Sequence, residues 1–170
     1  MRILIAVAVA AITAGCAAPG QNVIRDFNYQ FDAKQAAAML QPGPNTISGS
    51  ALMRQQGGGV VTCAGGKVHL IPATDYAERR MNLIYGSGKS IGPYGGKKFE
   101  PDQPAYYQQS RTVLCNAQGF FKFDKVADGD FYVQTVVAWR AGRYNTVQGG
   151  SLMERVSVKG GQEVEVTLAP

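Results

Sequence analysis

The sequence predicts an all-β domain, an antiparallel Greek-key β-sandwich of about seven strands that carries one short helix-loop insertion. Three observations predict it. Short runs rich in Val, Ile, Tyr, Phe and Thr recur through residues 45–170. Glycine-rich and Asp-Gly turns separate these runs at the spacing of sandwich strands. Within that range one stretch alone, Thr74 to Tyr85, is built from the helix formers Ala, Glu, Arg, Met and Leu.

Two regions precede the domain. Met1-Arg2 is followed by an apolar run from Ile3 to Ile12, then by Thr13-Ala14-Gly15-Cys16. A charged tip, a short apolar stretch and small residues before a cleavage point make residues 1–15 an N-terminal signal peptide. A membrane-spanning helix needs roughly 20 apolar residues, so this run is too short to be an anchor. Residues 16–44 form a tether with a short helix. Phe27, Tyr29 and Phe31 alternate with polar residues, the pattern of a short strand or an extended segment laid on the domain. Asp32 caps a helical turn over Ala33 to Leu40, and Gln41-Pro42-Gly43-Pro44 stops it.

In the domain, Ile47 to Leu52 is the first strand and Gly57-Gly58-Gly59 a turn. Val60 to Cys63 and Lys67 to Ile71 are short strands separated by Ala64-Gly65-Gly66. In the second, Val68 and Leu70 face one way and Lys67 and His69 the other. Pro72 ends it. Thr74 or Asp75 caps the inserted helix, with Tyr76, Arg80 and Leu83 or Ile84 on one face. Gly86 to Pro104 reads as a long loop. Tyr107 to Cys115 reads as a strand, Asn116 to Gly119 as a turn, Phe120 to Phe123 as a strand and Asp128-Gly129 as a turn. Phe131 to Trp139 is the strongest strand. Leu152 to Val158 follows, then the tight turn Gly160-Gly161, then Glu163 to Leu168 with Val164, Val166 and Leu168 alternating.

The chain has 45% apolar residues, enough for a core, and 17 basic against 12 acidic residues. Loss of Arg2 with the signal peptide leaves a mild +4. The basic residues are scattered, whereas a nucleic-acid interface needs a concentrated basic face. Arg79-Arg80 and Lys97-Lys98 therefore read as solvated surface, with contact to an anionic surface as the alternative. With Cys16 set aside, Cys63 and Cys115 form an even pair in an oxidising compartment and read as a disulfide. A structural zinc site would need four ligands, and the chain has one histidine, His69.

Two resemblances extend this reading. Thr13-Ala14-Gly15-Cys16 resembles a bacterial lipoprotein signal, which implies acylation at Cys16 and an anchor of several fatty chains. Ala17 after the cysteine then implies the outer membrane, facing the periplasm, if the source is Gram-negative. Thr13 stands where such boxes carry Leu, and an ordinary signal cut after Ala17 or Ala18 is the alternative. Asn116 to Phe123, followed by Val126 to Val133, resembles the signature of carboxypeptidase regulatory-like domains, which are transthyretin-like (prealbumin-like) sandwiches. Ile47 to Ala51 and Val68 to Pro72 resemble two further strands of that family. The resemblance implies the sandwich, with Phe121 and Phe123 on one face, and no enzymatic activity. It departs from the family between Ala73 and Tyr106, where the helix and loop are inserted.

Other chemistry finds little support. Gly86-Ser87-Gly88-Lys89-Ser90 lacks the leading glycine of a phosphate loop, since position 83 is Leu, and it follows a helix rather than a strand. His69 is the one available imidazole base, but no Gly-x-Ser-x-Gly elbow accompanies it. Asp124, Asp128 and Asp130 are close in sequence, yet their spacing matches no calcium loop and turn chemistry accounts for Asp128. The expectation is a non-enzymatic cell-envelope lipoprotein without metal or cofactor, a protein- or glycan-binding or assembly module. Insert residues Tyr94, Lys97, Lys98 and Phe99 are its candidate surface. The alternatives are a structural accessory lipoprotein of a secretion or surface machine and an envelope hydrolase using His69.

Overall fold

Strand β2 (Asn45–Arg54) organises the first sheet, because its residues alternate strictly between buried and half-buried, ending on an exposed Arg54. In the computed structural model, which describes residues 22–170, three strands pair with it. The expected signal peptide (1–15), the expected lipidation site Cys16 and the start of the expected tether lie outside the described residues. Strand β3 (Val60–Thr62) returns antiparallel on the second half of β2, with Leu52 opposite Thr62. Strand β8 (Phe120–Val126) runs antiparallel along the first half, with Gly49 opposite Phe121. Strand β11 (Glu163–Leu168) lies parallel to β2, from Thr46 opposite Glu163 to Ala51 opposite Leu168.

The second sheet has β4 (Lys67–Pro72), β5 (Ser90–Ile91), β7 (Arg111–Leu114), β9 (Gly129–Ala141) and β10 (Thr146–Val158) in the order β5-β10-β9-β4-β7, all antiparallel. The two sheets face each other across an apolar core. Ile47, Ala51, Phe121, Phe123 and Leu168 come from one sheet, and Val68, Leu70, Val133, Val137 and Leu152 from the other. Phe121 and Phe123 do share a face, in edge contact at 6.0 Å. Gly119, with φ of +87°, makes the preceding turn possible, since a Cβ there would meet the Thr62 side chain at 2.5 Å.

Parallel pairing of β11 departs from the expected antiparallel sheet. The Gly160-Gly161 turn does not close a hairpin. It carries the chain from β10 in one sheet to β11 in the other, so β11 meets β2 instead of its sequence neighbour. Asn45 secures this crossing. Fully buried, it accepts the amides of Gly161 and Gln162 at 2.9 Å each and donates to the Val126 carbonyl at 3.0 Å and to Asp128 at 2.9 Å. Asp128 also accepts the Gly160 amide, which together with Asn45 holds its carboxyl below the usual range.

Cys63 and Cys115 are joined, with Cα atoms 5.8 Å apart. Cys63 follows β3 and Cys115 follows β7, so the bridge ties the two sheets together.

A third layer covers the outer face of the five-stranded sheet. It consists of helix α2 (Asp75–Tyr85), strand β6 (Lys98–Glu100), helix α3 (Pro104–Gln108) and the N-terminal segment. Thr74 caps α2 by accepting the Ala77 amide. Strand β1 (Val23–Arg25) pairs parallel with β6, and Phe27 is buried edge-on against Tyr76 and Phe99 at 5.1 and 4.7 Å. The alternating aromatics of the tether are thus laid on the domain. Helix α1 (Ala33–Met39) follows, capped by Asp32 on the amides of Lys34 and Gln35. The described residues hold eleven strands, against about seven expected. The surplus includes β1, β5 and β6, short pieces in the tether and the insert. The expected strand from Tyr107 begins only at Arg111. Pro104 opens α3 at a position where its missing N–H costs nothing, which takes Tyr106 and Tyr107 into a helix.

Candidate functional site

Register across the five-stranded sheet sets the floor of a cleft. His69 on β4 lies opposite Thr112 on β7 and opposite Gln134 on β9. Because Val68 and Leu70 point into the core, these three polar side chains form a row on the outer face. His69 Nδ1 and Thr112 Oγ1 are 3.0 Å apart. Gln134 donates to the Tyr85 hydroxyl at 2.8 Å and to Ser151. Burial and the neighbouring Lys67 hold the His69 imidazole below its ordinary value, so it favours the neutral form.

Helices α2 and α3 wall the cleft with Arg80, Met81, Ile84, Tyr106 and Tyr107, around a volume of about 350 Å³. Among the described residues no Asp or Glu lines it. Arg80 is the charged element, with its side chain only 5% exposed. Its guanidinium lies 4.0 Å from the Phe99 ring centre and 4.7 Å from that of Tyr106. Its terminal nitrogens donate to Asp102 at 3.0 Å, to the Tyr107 hydroxyl at 2.7 Å and to the Tyr76 hydroxyl at 3.3 Å. Tyr107 in turn donates to Asp102 at 2.8 Å. Burial works against the Arg80 charge, but the Tyr76 hydrogen bond and the surrounding tyrosines outweigh it and raise the pKa. Burial also raises the Tyr106 hydroxyl far above its ordinary value, so it stays protonated. Among the described residues Arg80 Nε has no hydrogen-bond partner.

The expected surface is only partly assembled. Tyr94 is 74% exposed, and Lys98 is exposed but paired with Glu100 at 2.9 Å. Lys97 is half-buried. Phe99 is 1% exposed, so it belongs to the core of the third layer and cannot be a contact surface. The reading of Arg79-Arg80 as solvated surface holds for Arg79, which is exposed and stacks over Tyr29 at 4.2 Å, and is corrected for Arg80, which is buried because helical periodicity places it on the face of Tyr76. That four-residue spacing was the signal available in the sequence.

The remaining motifs are engaged locally. Lys89 of the glycine-lysine loop pairs with Glu154 at 2.7 Å. Asp124 pairs with Lys122, Asp128 with Asn45, and Asp130 with Arg155, so the three carboxylates do not converge. Sequence reasoning missed a second depression of about 410 Å³ at the tip of the β9–β10 hairpin, lined by Trp139, Arg143, Tyr144 and Gln148 and by Gln55 and Gln56 of the β2–β3 turn.

No protein-family model matches the chain, and no curated protein matches it. Among solved structures, the chain is similar to the crystal structure of a proposed carbohydrate-binding protein from Pseudomonas aeruginosa. The TM-score is 0.67 at 23% identity, over 84% of this chain and 99% of the other. The likeness is one of fold.

Proposed function

We propose that this protein is a non-enzymatic, lipid-anchored binding module of the cell envelope that holds a glycan in the cleft between α2, α3 and the outer face of the sheet. The observation that carries the reading is the row Thr112, His69, Gln134 beneath the exposed Tyr107. Hydroxyl, imidazole and amide groups exchange hydrogen bonds with sugar hydroxyls, and an aromatic wall packs on the apolar face of a pyranose. A cleft near 350 Å³ fits one or two sugar rings and falls among ordinary ligand sites. His69 engages a threonine hydroxyl, and the nearby Asp102 carboxylate is engaged by Arg80 and Tyr107, which favours holding a ligand over transforming it. The similar fold of the Pseudomonas protein supports a glycan, and Gly15-Cys16 supports the envelope.

The test is a titration of the folded chain with fragments of envelope glycans, followed by amide and side-chain NMR. Shifts centred on His69, Thr112, Gln134 and Tyr107 are expected, with Gln134→Ala weakening the affinity about five- to tenfold, the loss of one hydrogen bond. Shifts absent from this cleft at millimolar glycan would remove the reading. Mass spectrometry of natively produced protein tests the lipid: an unacylated amino terminus would remove the anchor.

A further inference from the structure

We propose that the tip of the β9–β10 hairpin is a separate saccharide site, selective for a carboxylate-bearing pyranose such as a uronic acid. The two strands run 13 residues each, against 10 in β2 of the facing sheet. Inward-facing positions of β9 are buried through Val137, and the next, Trp139, packs only partly against the core. Opposite it stands the β2–β3 turn with Gln55 and Gln56, so the end of the sandwich is open. Trp139 pairs across the hairpin with Gln148 and Ala141 with Thr146, so all four share a face. Gly149 leaves room for the hairpin and the indole: its φ is +91°, and a Cβ there would stand 2.1 Å from the Val137 carbonyl and 2.9 Å from Trp139 Cζ3.

Three features specify the ligand. First, the aromatic pair Trp139 and Tyr144 offers a platform for the apolar face of a sugar ring, and Tyr144 is 86% exposed. Second, the side chains of Gln55, Gln56 and Gln148 offer amide donors and acceptors for ring hydroxyls. Third, the charge is one-sided. Arg143 lines the depression, and among the described residues no carboxylate lines it. Among the described residues Arg143 forms no ion pair. An uncompensated guanidinium beside an aromatic platform matches a ring bearing a carboxylate, which an arginine fork binds with two parallel hydrogen bonds.

This site shares no lining residue with the insert cleft, so it stands or falls independently of the function proposed above. The chain has one tryptophan, Trp139, so its emission reports on this site alone. The folded chain is titrated with a linear hexamer of galacturonic acid, with the carboxyl-reduced hexamer and with hexaglutamate. A saturable emission change with the acidic hexamer is expected, with the neutral hexamer about tenfold weaker and hexaglutamate giving none. Arg143→Gln should weaken the acidic hexamer about tenfold and bring it level with the neutral one, the loss of a charge-assisted hydrogen bond. Tyr144→Ala should weaken both sugars, and Lys34→Ala, exposed on α1 and in neither cleft, should change neither. No saturable change at 10 mM, roughly the limit of a useful single-ring contact, would overturn the proposal. So would equal affinity for the neutral hexamer, or a hexaglutamate response equal to the sugar's.

Discussion

Truncating Arg80 to alanine should destabilise the protein by about 2–4 kcal/mol. The side chain is 5% exposed and holds four aromatic residues and Asp102 around one cation. Removing one partner of a fully buried ion pair costs about 3–5 kcal/mol. Asp102 is 36% exposed and keeps hydrogen bonds from Tyr107 and the Gln103 amide, so water and these donors recover part of that. Lost contact with the faces of Phe99 and Tyr106 adds back about 1–2 kcal/mol. For a domain of this size the loss corresponds to a fall in Tm of roughly 6–12 °C. Urea unfolding should be followed twice, by near-ultraviolet circular dichroism of the tyrosine cluster and by Trp139 emission from the sandwich. Separation of the two curves in the variant would show that the third layer lets go first. Arg80→Met, which restores apolar volume without charge, should recover about half of the loss. If Arg80→Ala unfolds within about 0.5 kcal/mol of the parent protein, the cation does not hold the insert and the account of the third layer is wrong.

Two further outcomes are expected. Replacing Cys63 and Cys115 by serine should cost about 4 kcal/mol by the chain-entropy estimate for residues 52 apart, read as a lower urea midpoint; a change under about 1 kcal/mol would mean the sheets do not need the clamp. His69, with its pKa below the ordinary 6.5 in the folded state, favours the neutral form, so the unfolded chain takes up its proton first as the pH falls. Its contribution to stability is therefore present above about pH 6.5 and declines as the pH drops toward the folded value. NMR titration of this single histidine should show a native midpoint below that in urea, and a native midpoint above 6.5 would contradict the burial argument.

Much of the sandwich was readable because alternation encodes which face of a strand is buried. Strands β2 and β11 show it throughout, β4 and β9 except where Leu70 to Pro72 and Phe131 to Val133 are buried on both faces, and the caps Asp32 and Thr74 mark the helix starts. Alternation does not encode the partner. Nothing in Val164, Val166 and Leu168 distinguishes a strand beside β10 from one beside β2, and the choice lies in where Asn45 fixes the turn. Strand β10 was read as starting at Leu152 because Gly149 and Gly150 carry no side chain to show a period, though the strand begins at Thr146. The clefts were the least legible part. Composition makes an arginine look solvated, whereas Arg80 is surrounded by Tyr76 four residues before it and by Phe99, Tyr106 and Tyr107 much further along the chain, and the depression at the hairpin tip is assembled from β9, β10 and the β2–β3 turn, which are distant in sequence.

The alignment of β11 with β2 also bears on the order in which the molecule can be completed. Their contact spans 117 residues at its base, among the slowest closures a chain of this size can make. Until residues 163–168 arrive, one long border of β2 has open amides and carbonyls and the core beside Ala51 lacks Leu168. A nascent molecule would pass its growth with an adhesive margin exposed, and a passing chaperone would find its best handle there.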